Sequence, residues 1–130
     1  MIKLNSECEK WIKAAKDHFD HTWGLSPEFA LMAARLYLVL FLYGLHPQIT
    51  SGYRSPEHQK ELMDRYKAGD PSIKYKPAEN SKHSNTDFLG LPAAMAIDIS
   101  TSNHEAAAQV ARMLGIKPGL DFGDPVHFYM

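Results

Sequence analysis

The stretch that most constrains this chain is AMAIDIS, residues 94–100, where an aspartate stands between two isoleucines. A carboxylate in so apolar a run is costly to bury unless something cationic compensates it. Read as a strand, the run sends Met95, Ile97 and Ile99 one way and Ala96, Asp98 and Ser100 the other. Asp98 then stands on the face opposite the isoleucines, and His83, in the polar turn that opens residues 81–100, must reach that same face. A third donor lies at the far end of the chain, in Asp124-Pro125-Val126-His127-Phe128. Two histidines and one carboxylate from three separate places form the protein ligand set of an open, catalytic zinc site. His83, Asp98 and His127 are therefore candidate ligands for one Zn2+ per chain.

The remaining residues read as the frame for that site. Asn5 or Ser6 caps a first helix whose Trp11, Ile12, Ala15 and Phe19 form one apolar stripe, closed by Trp23-Gly24. His18 and His21 fall near its end, where cationic side chains suit the helix dipole. Ser26-Pro27-Glu28 starts a second helix, apolar on most sides and so central, which Gly44 stops. A short strand at Gln48-Ile49-Thr50 leads through the turn SGYRSP into a third helix, from Glu57 to about Ala68, with Ser55 as cap. DPSIKYKPAEN, residues 70–80, reads as a loop. After the strand at residues 95–100 comes a helix from His104 to Leu114, then a Pro-Gly turn and a last strand at residues 126–129. Helices first and strands alternating with helices afterwards predict an α+β fold. Its small antiparallel sheet carries the zinc site and packs against helices, with N-terminal helices added. At 130 residues the chain is expected to be one domain, 1–43 a helical part and 44–130 the motif-bearing part.

Charge and cysteine content narrow the function classes. Fourteen basic and fifteen acidic residues, a net charge of -1, argue against nucleic acid or an anionic membrane surface as main partner. Cys8 is the only cysteine, so neither an internal disulfide nor a thiolate zinc cluster is available. The most apolar segment, residues 29–43, contains Arg35 and is too short for a membrane span, which needs about 20 apolar residues. The first twenty residues lack the continuous apolar core of a secretory signal.

Asp124 and His127 would face opposite ways on a regular strand, being three residues apart. Pro125 favours placing Asp124 just outside the strand, and both side chains can then converge. A carboxylate beside a zinc site is suited to general-base work. Arg54, after a glycine turn, offers a donor fork for a carboxylate or a developing oxyanion; the competing reading is an arginine paired with an acid.

SGYRS, SKH, an aspartate in an AMAIDI-type strand and GDPVHF, in this order, resemble the motifs of the M15 family of zinc peptidases. That family includes D-alanyl-D-alanine carboxypeptidases, dipeptidases and phage endolysins that cut L-alanyl-D-glutamate bonds. The resemblance covers residues 44–130. It implies zinc ligation by His83, Asp98 and His127, acid/base catalysis by Asp124 and stabilisation of the substrate carbonyl by Arg54. It also implies support of the first ligand or the substrate by Ser81, with Tyr53 beside Arg54 at the substrate. The expected substrate is a peptidoglycan peptide, cut by a monomeric endolysin-like L-alanyl-D-glutamate endopeptidase. A D-alanyl-D-alanine carboxypeptidase and a non-catalytic, zinc-stabilised wall-binding or virion module are the alternatives. Such a protein would be made in the cytoplasm, without stable membrane insertion, and act at the wall after release.

One departure bears on the ligand set. The family separates the first histidine from the aspartate by a short glycine-containing turn, whereas fourteen residues, 84–97, intervene here. The extra loop contains Asp87, a rival third ligand. Its Phe88, Leu89 and Leu91 either line a substrate groove or cap the core.

Overall fold

Every α-helix among the described residues begins on a side-chain oxygen that accepts a hydrogen bond from an N–H of its own first turn. Asn5 does this for α1 (Ser6–Trp23), Ser26 for α2 (Pro27–Leu42), Ser55 for α3 (Pro56–Lys67) and Asn103 for α4 (His104–Met113). Pro27 and Pro56 occupy first-turn positions, where the missing N–H has no partner to lose. The computed structural model describes residues 4–77 and 81–130. Residues 70–77 form a loop as expected, and the remainder of that expected loop, 78–80, lies outside the described residues.

The strands β1 (Gln48–Ser51), β2 (Ala96–Ser100), β3 (Lys117–Pro118) and β4 (His127–Tyr129) form one antiparallel sheet in the order β1-β2-β4-β3. One face of β2 carries Ile97 and Ile99 into the core, where both are fully buried. They join Phe128, Ile116 and the alanine-rich side of α4, with Ile12 and Phe19 from α1 and Phe29, Leu36 and Leu40 from α2. The apolar α2 is central along most of its length, but Phe41, Leu42 and Tyr43 at its end are exposed. The opposite face of β2 is left to Asp98. The expected α+β plan, with a small antiparallel sheet against helices, is the observed one.

Three details differ from the sequence reading. The proline of the expected Pro-Gly turn belongs to strand β3, where Pro118 pairs with Phe128; a proline is tolerated there because β3 is an edge strand. Met95 lies just before β2, its N–H donating to the Lys82 carbonyl. The extra loop is a small hairpin, bridged between Thr86 and Pro92 and joined to the α1–α2 junction by a Leu25–Ala94 bridge. Asp87 accepts from the N–H groups of Leu89 and Leu91 and so closes the hairpin tip. Phe88, Leu89 and Leu91 project outward, Phe88 being 95% exposed; they neither cap the core nor line the cavity described below.

Candidate metal centre

β2 and β4 pair so that Asp98 lies directly opposite His127. Directly opposed residues point to the same face of a sheet, so the strand register alone brings these two donors together. A bulge in β1 between Ile49 and Ser51 sets Ser51, rather than Thr50, opposite Asp98. His83 arrives from a 3₁₀ turn, Lys82–Ser84, whose N-cap Ser81 accepts from the His83 N–H at 3.1 Å. That turn is tied to residues 52–54: the Arg54 N–H donates to the His83 carbonyl, and the Ser84 hydroxyl to the Arg54 carbonyl.

Three donor atoms converge at this point. His83 Nε2 is 3.1 Å from Asp98 Oδ1 and 3.1 Å from His127 Nδ1, and His127 Nδ1 is 3.3 Å from Asp98 Oδ1. Donors held by a tetrahedral zinc at about 2.0–2.1 Å would lie about 3.3 Å apart. His83 Nδ1 is 2.7 Å from the Gly52 carbonyl, which can only accept, so that nitrogen carries the proton. In the neutral ring Nε2 then presents a lone pair inward, as a metal-ligating histidine does. This His-Asp-His group could hold one metal ion, and its donor set suits zinc. Asp87, closing the hairpin tip, is not part of it.

The second oxygen of Asp98 faces Arg54. Arg54 Nη2 donates to Asp98 Oδ2 at 3.3 Å and to Ser51 Oγ at 3.0 Å, while Nη1 donates to Gln59 Oε1 at 2.8 Å. Burial penalises the Asp98 charge, but the hydrogen bond from His127 and, when its ring is doubly protonated, one from His83 outweigh it and hold the carboxyl well below the usual carboxylate range. Asp124 goes the other way. Burial, and then the negative charge of Asp98, raise its pKa above the ordinary aspartate value.

Asp124 precedes β4 and lies outside the strand. Its N–H donates to the Gly119 carbonyl, and its carbonyl accepts from the His127 N–H. A cavity of about 500 Å³, within the range of small-ligand sites, opens over the group. Asp124, Arg54 and Ser81 line it together with the three donors, whereas Tyr53 does not: its side chain packs against the core beside Gly24. His18 and His21, at the end of α1, stay apart from the site, His21 bonding to the Asp17 carbonyl and His18 to Thr22.

Several cavity features escaped the sequence reading. Gln59 and Ser51 hold Arg54, and Phe122 borders the cavity with its ring 6.2 Å from that of His127. Gly119 is there because a Cβ would come within 2.5 Å of the Asp124 carbonyl oxygen and 2.8 Å of His127 Cβ. The loop after α3, read only as a connection, forms one cavity wall through residues 72–77.

No family model matches the chain, and no curated protein matches it. Among solved structures it resembles the vancomycin resistance D,D-pentapeptidase VanY, an E175A mutant from a VanB-type resistance cassette in complex with Zn(II). The TM-score is 0.56 at 20% identity, covering 81% of this chain and 71% of that one. The two chains share a fold. VanY's structure contains Zn(II), and this chain has a His-Asp-His group that could bind one metal ion. No helix among the described residues is long and apolar enough to cross a membrane.

Proposed function

We propose that this chain is a zinc-dependent peptidase that hydrolyses a peptide bond of bacterial peptidoglycan. The observation that carries the reading is the convergence of His83 Nε2, Asp98 Oδ1 and His127 Nδ1 on the wall of an open cavity that also contains a carboxylate of raised pKa. Zinc at this group would supply Lewis acidity, polarising a carbonyl and lowering the pKa of water to about 7. Asp124 takes the proton from the attacking water and delivers it to the leaving amine. Arg54 uses three of its donor contacts on Asp98, Ser51 and Gln59. A guanidinium has five N–H donors, and the remaining ones serve the carbonyl oxygen as negative charge develops there. Ser81 acts by fixing the backbone of His83.

The motif resemblance favours an L-alanyl-D-glutamate endopeptidase of the endolysin type. The shared fold with a protein named as a D,D-pentapeptidase favours the second reading, removal of a terminal D-alanine. Incubation of the zinc-loaded protein with purified peptidoglycan separates them. Mass spectrometry is expected to find new termini, D-glutamyl amines for the first reading or free D-alanine for the second, and none with Asp124→Ala. Bound zinc without cleavage of any wall type would overturn the enzyme reading in favour of a binding module.

A further inference from the structure

The wall of the cavity formed by residues 72–77 is built by a polar knot at its start. Arg65 Nε donates to Asp70 Oδ2 at 2.9 Å, and Asp70 Oδ1 accepts from both the N–H and the hydroxyl of Ser72, at 2.9 and 2.7 Å. Arg65 Nη2 also reaches Ser72 Oγ at 3.2 Å, and the Ile73 N–H donates to the Asp70 carbonyl. This knot fixes where the chain leaves α3 and turns Lys74, Tyr75 and Lys76 to the cavity that also contains the metal group. Both lysines are exposed, and neither has an ion-pair partner among the described residues. The other basic side chain on the cavity wall, apart from the two histidine donors, is Arg54, already engaged by Asp98. Two acidic groups, Asp98 and Asp124, lie on the side where the reaction would occur.

From this charge separation we infer that Lys74 and Lys76 form a carboxylate-recognition subsite. They select peptides that carry a free carboxylate near the scissile bond, and the inference rests on the peptidase reading above. An ammonium is a flexible point charge suited to a carboxylate that stays partly hydrated. At this exposure its attraction is screened by salt, with a Debye length of about 8–10 Å near physiological ionic strength. The carboxylate has two possible sources on a stem peptide, the C-terminus and the α-carboxyl of a γ-linked D-glutamate. The lysines recognise the chemistry the two share.

The test compares a stem peptide having both carboxylates free with two analogues, one amidated at the C-terminus and one at the D-glutamate α-carboxyl. With the wild-type zinc protein, one amidation is expected to lower kcat/KM about tenfold, the scale of one charge-assisted contact, and its position identifies the source. In the Lys74→Gln/Lys76→Gln variant KM for the free-acid peptide should rise by a similar factor with kcat nearly unchanged, abolishing the preference. The Lys74→Arg/Lys76→Arg variant should restore it. Calorimetric binding of the same peptides to Asp124→Asn should follow the same order, and the preference should shrink as salt is raised. Equal cleavage of all three peptides by wild type, or a preference that survives the glutamine variant, overturns the subsite while leaving the peptidase standing. Cleavage of none of the peptides overturns both.

Discussion

The two oxygens of Asp98 face different partners, and that division explains how a carboxylate is kept between isoleucines. Oδ1 meets the two histidines, and Oδ2 meets Arg54, which Ser51 and Gln59 hold in turn. Asp98 was legible in the sequence because a buried acid in an apolar strand needs a cation. Ser51 and Gln59 were not, because their role depends on a guanidinium brought to them by the tertiary fold. Asp124→Ala is expected to leave zinc binding intact and to lower kcat about 100- to 10,000-fold, the usual range for a general base. Asp70, in the loop knot, offers a pH test. Hydrogen bonds from the Ser72 side chain, its backbone N–H and Arg65 lower its carboxyl pKa to about 2. The folded value lies below the unfolded one of about 3.9, so the knot contributes fully above that pH and fades as pH falls through about 2. An NMR titration of the Asp70 carboxyl should show the depressed midpoint; an ordinary aspartate midpoint would mean that the knot is absent in solution.

Among the elements, helix boundaries were the most readable, since each is written in a cap residue and a following proline or glycine. Strand β3 was not readable, because two residues have no periodicity and Pro118 suggests a turn. The hairpin at residues 84–92 was visible only as extra length; its outward course is set by its bridge to the α1–α2 junction. Two glycines matter to the site through close approach. A Cβ on Gly52 would collide with the Trp23 carbonyl and displace the carbonyl that fixes the His83 tautomer. A Cβ on Gly119 would press on Asp124 and His127. Gly119→Ala is therefore expected to weaken zinc affinity about 10- to 100-fold, as loss of supporting contacts around a ligand does. Competition with a chelator would measure it, and unchanged affinity would show that β4 can shift freely.

At the scale of the whole molecule, one sheet divides the labour. Ile97 and Ile99 anchor β2 in the core shared with α1, α2 and α4, and its other face holds the metal group. Ile97→Ala should cost about 2–5 kcal/mol of stability by leaving a cavity, read as a lower Tm. Zinc bound only by the folded chain should raise Tm, by the equivalent of about 2.7 kcal/mol at a free concentration 100 times Kd. The α+β plan and the three candidate ligands could be read from the sequence because periodicity and donor chemistry are local. The cavity wall after α3 could not, since nothing local tells which loop folds over a site. Ligation of one zinc by His83, Asp98 and His127 is tested by zinc content per chain after dialysis, measured for wild type, Asp124→Ala and Asp98→Ala. One zinc is expected in the first two proteins and strongly reduced zinc in Asp98→Ala. A wild-type protein that binds no zinc, or an Asp98→Ala variant that binds it undiminished, would contradict that ligation.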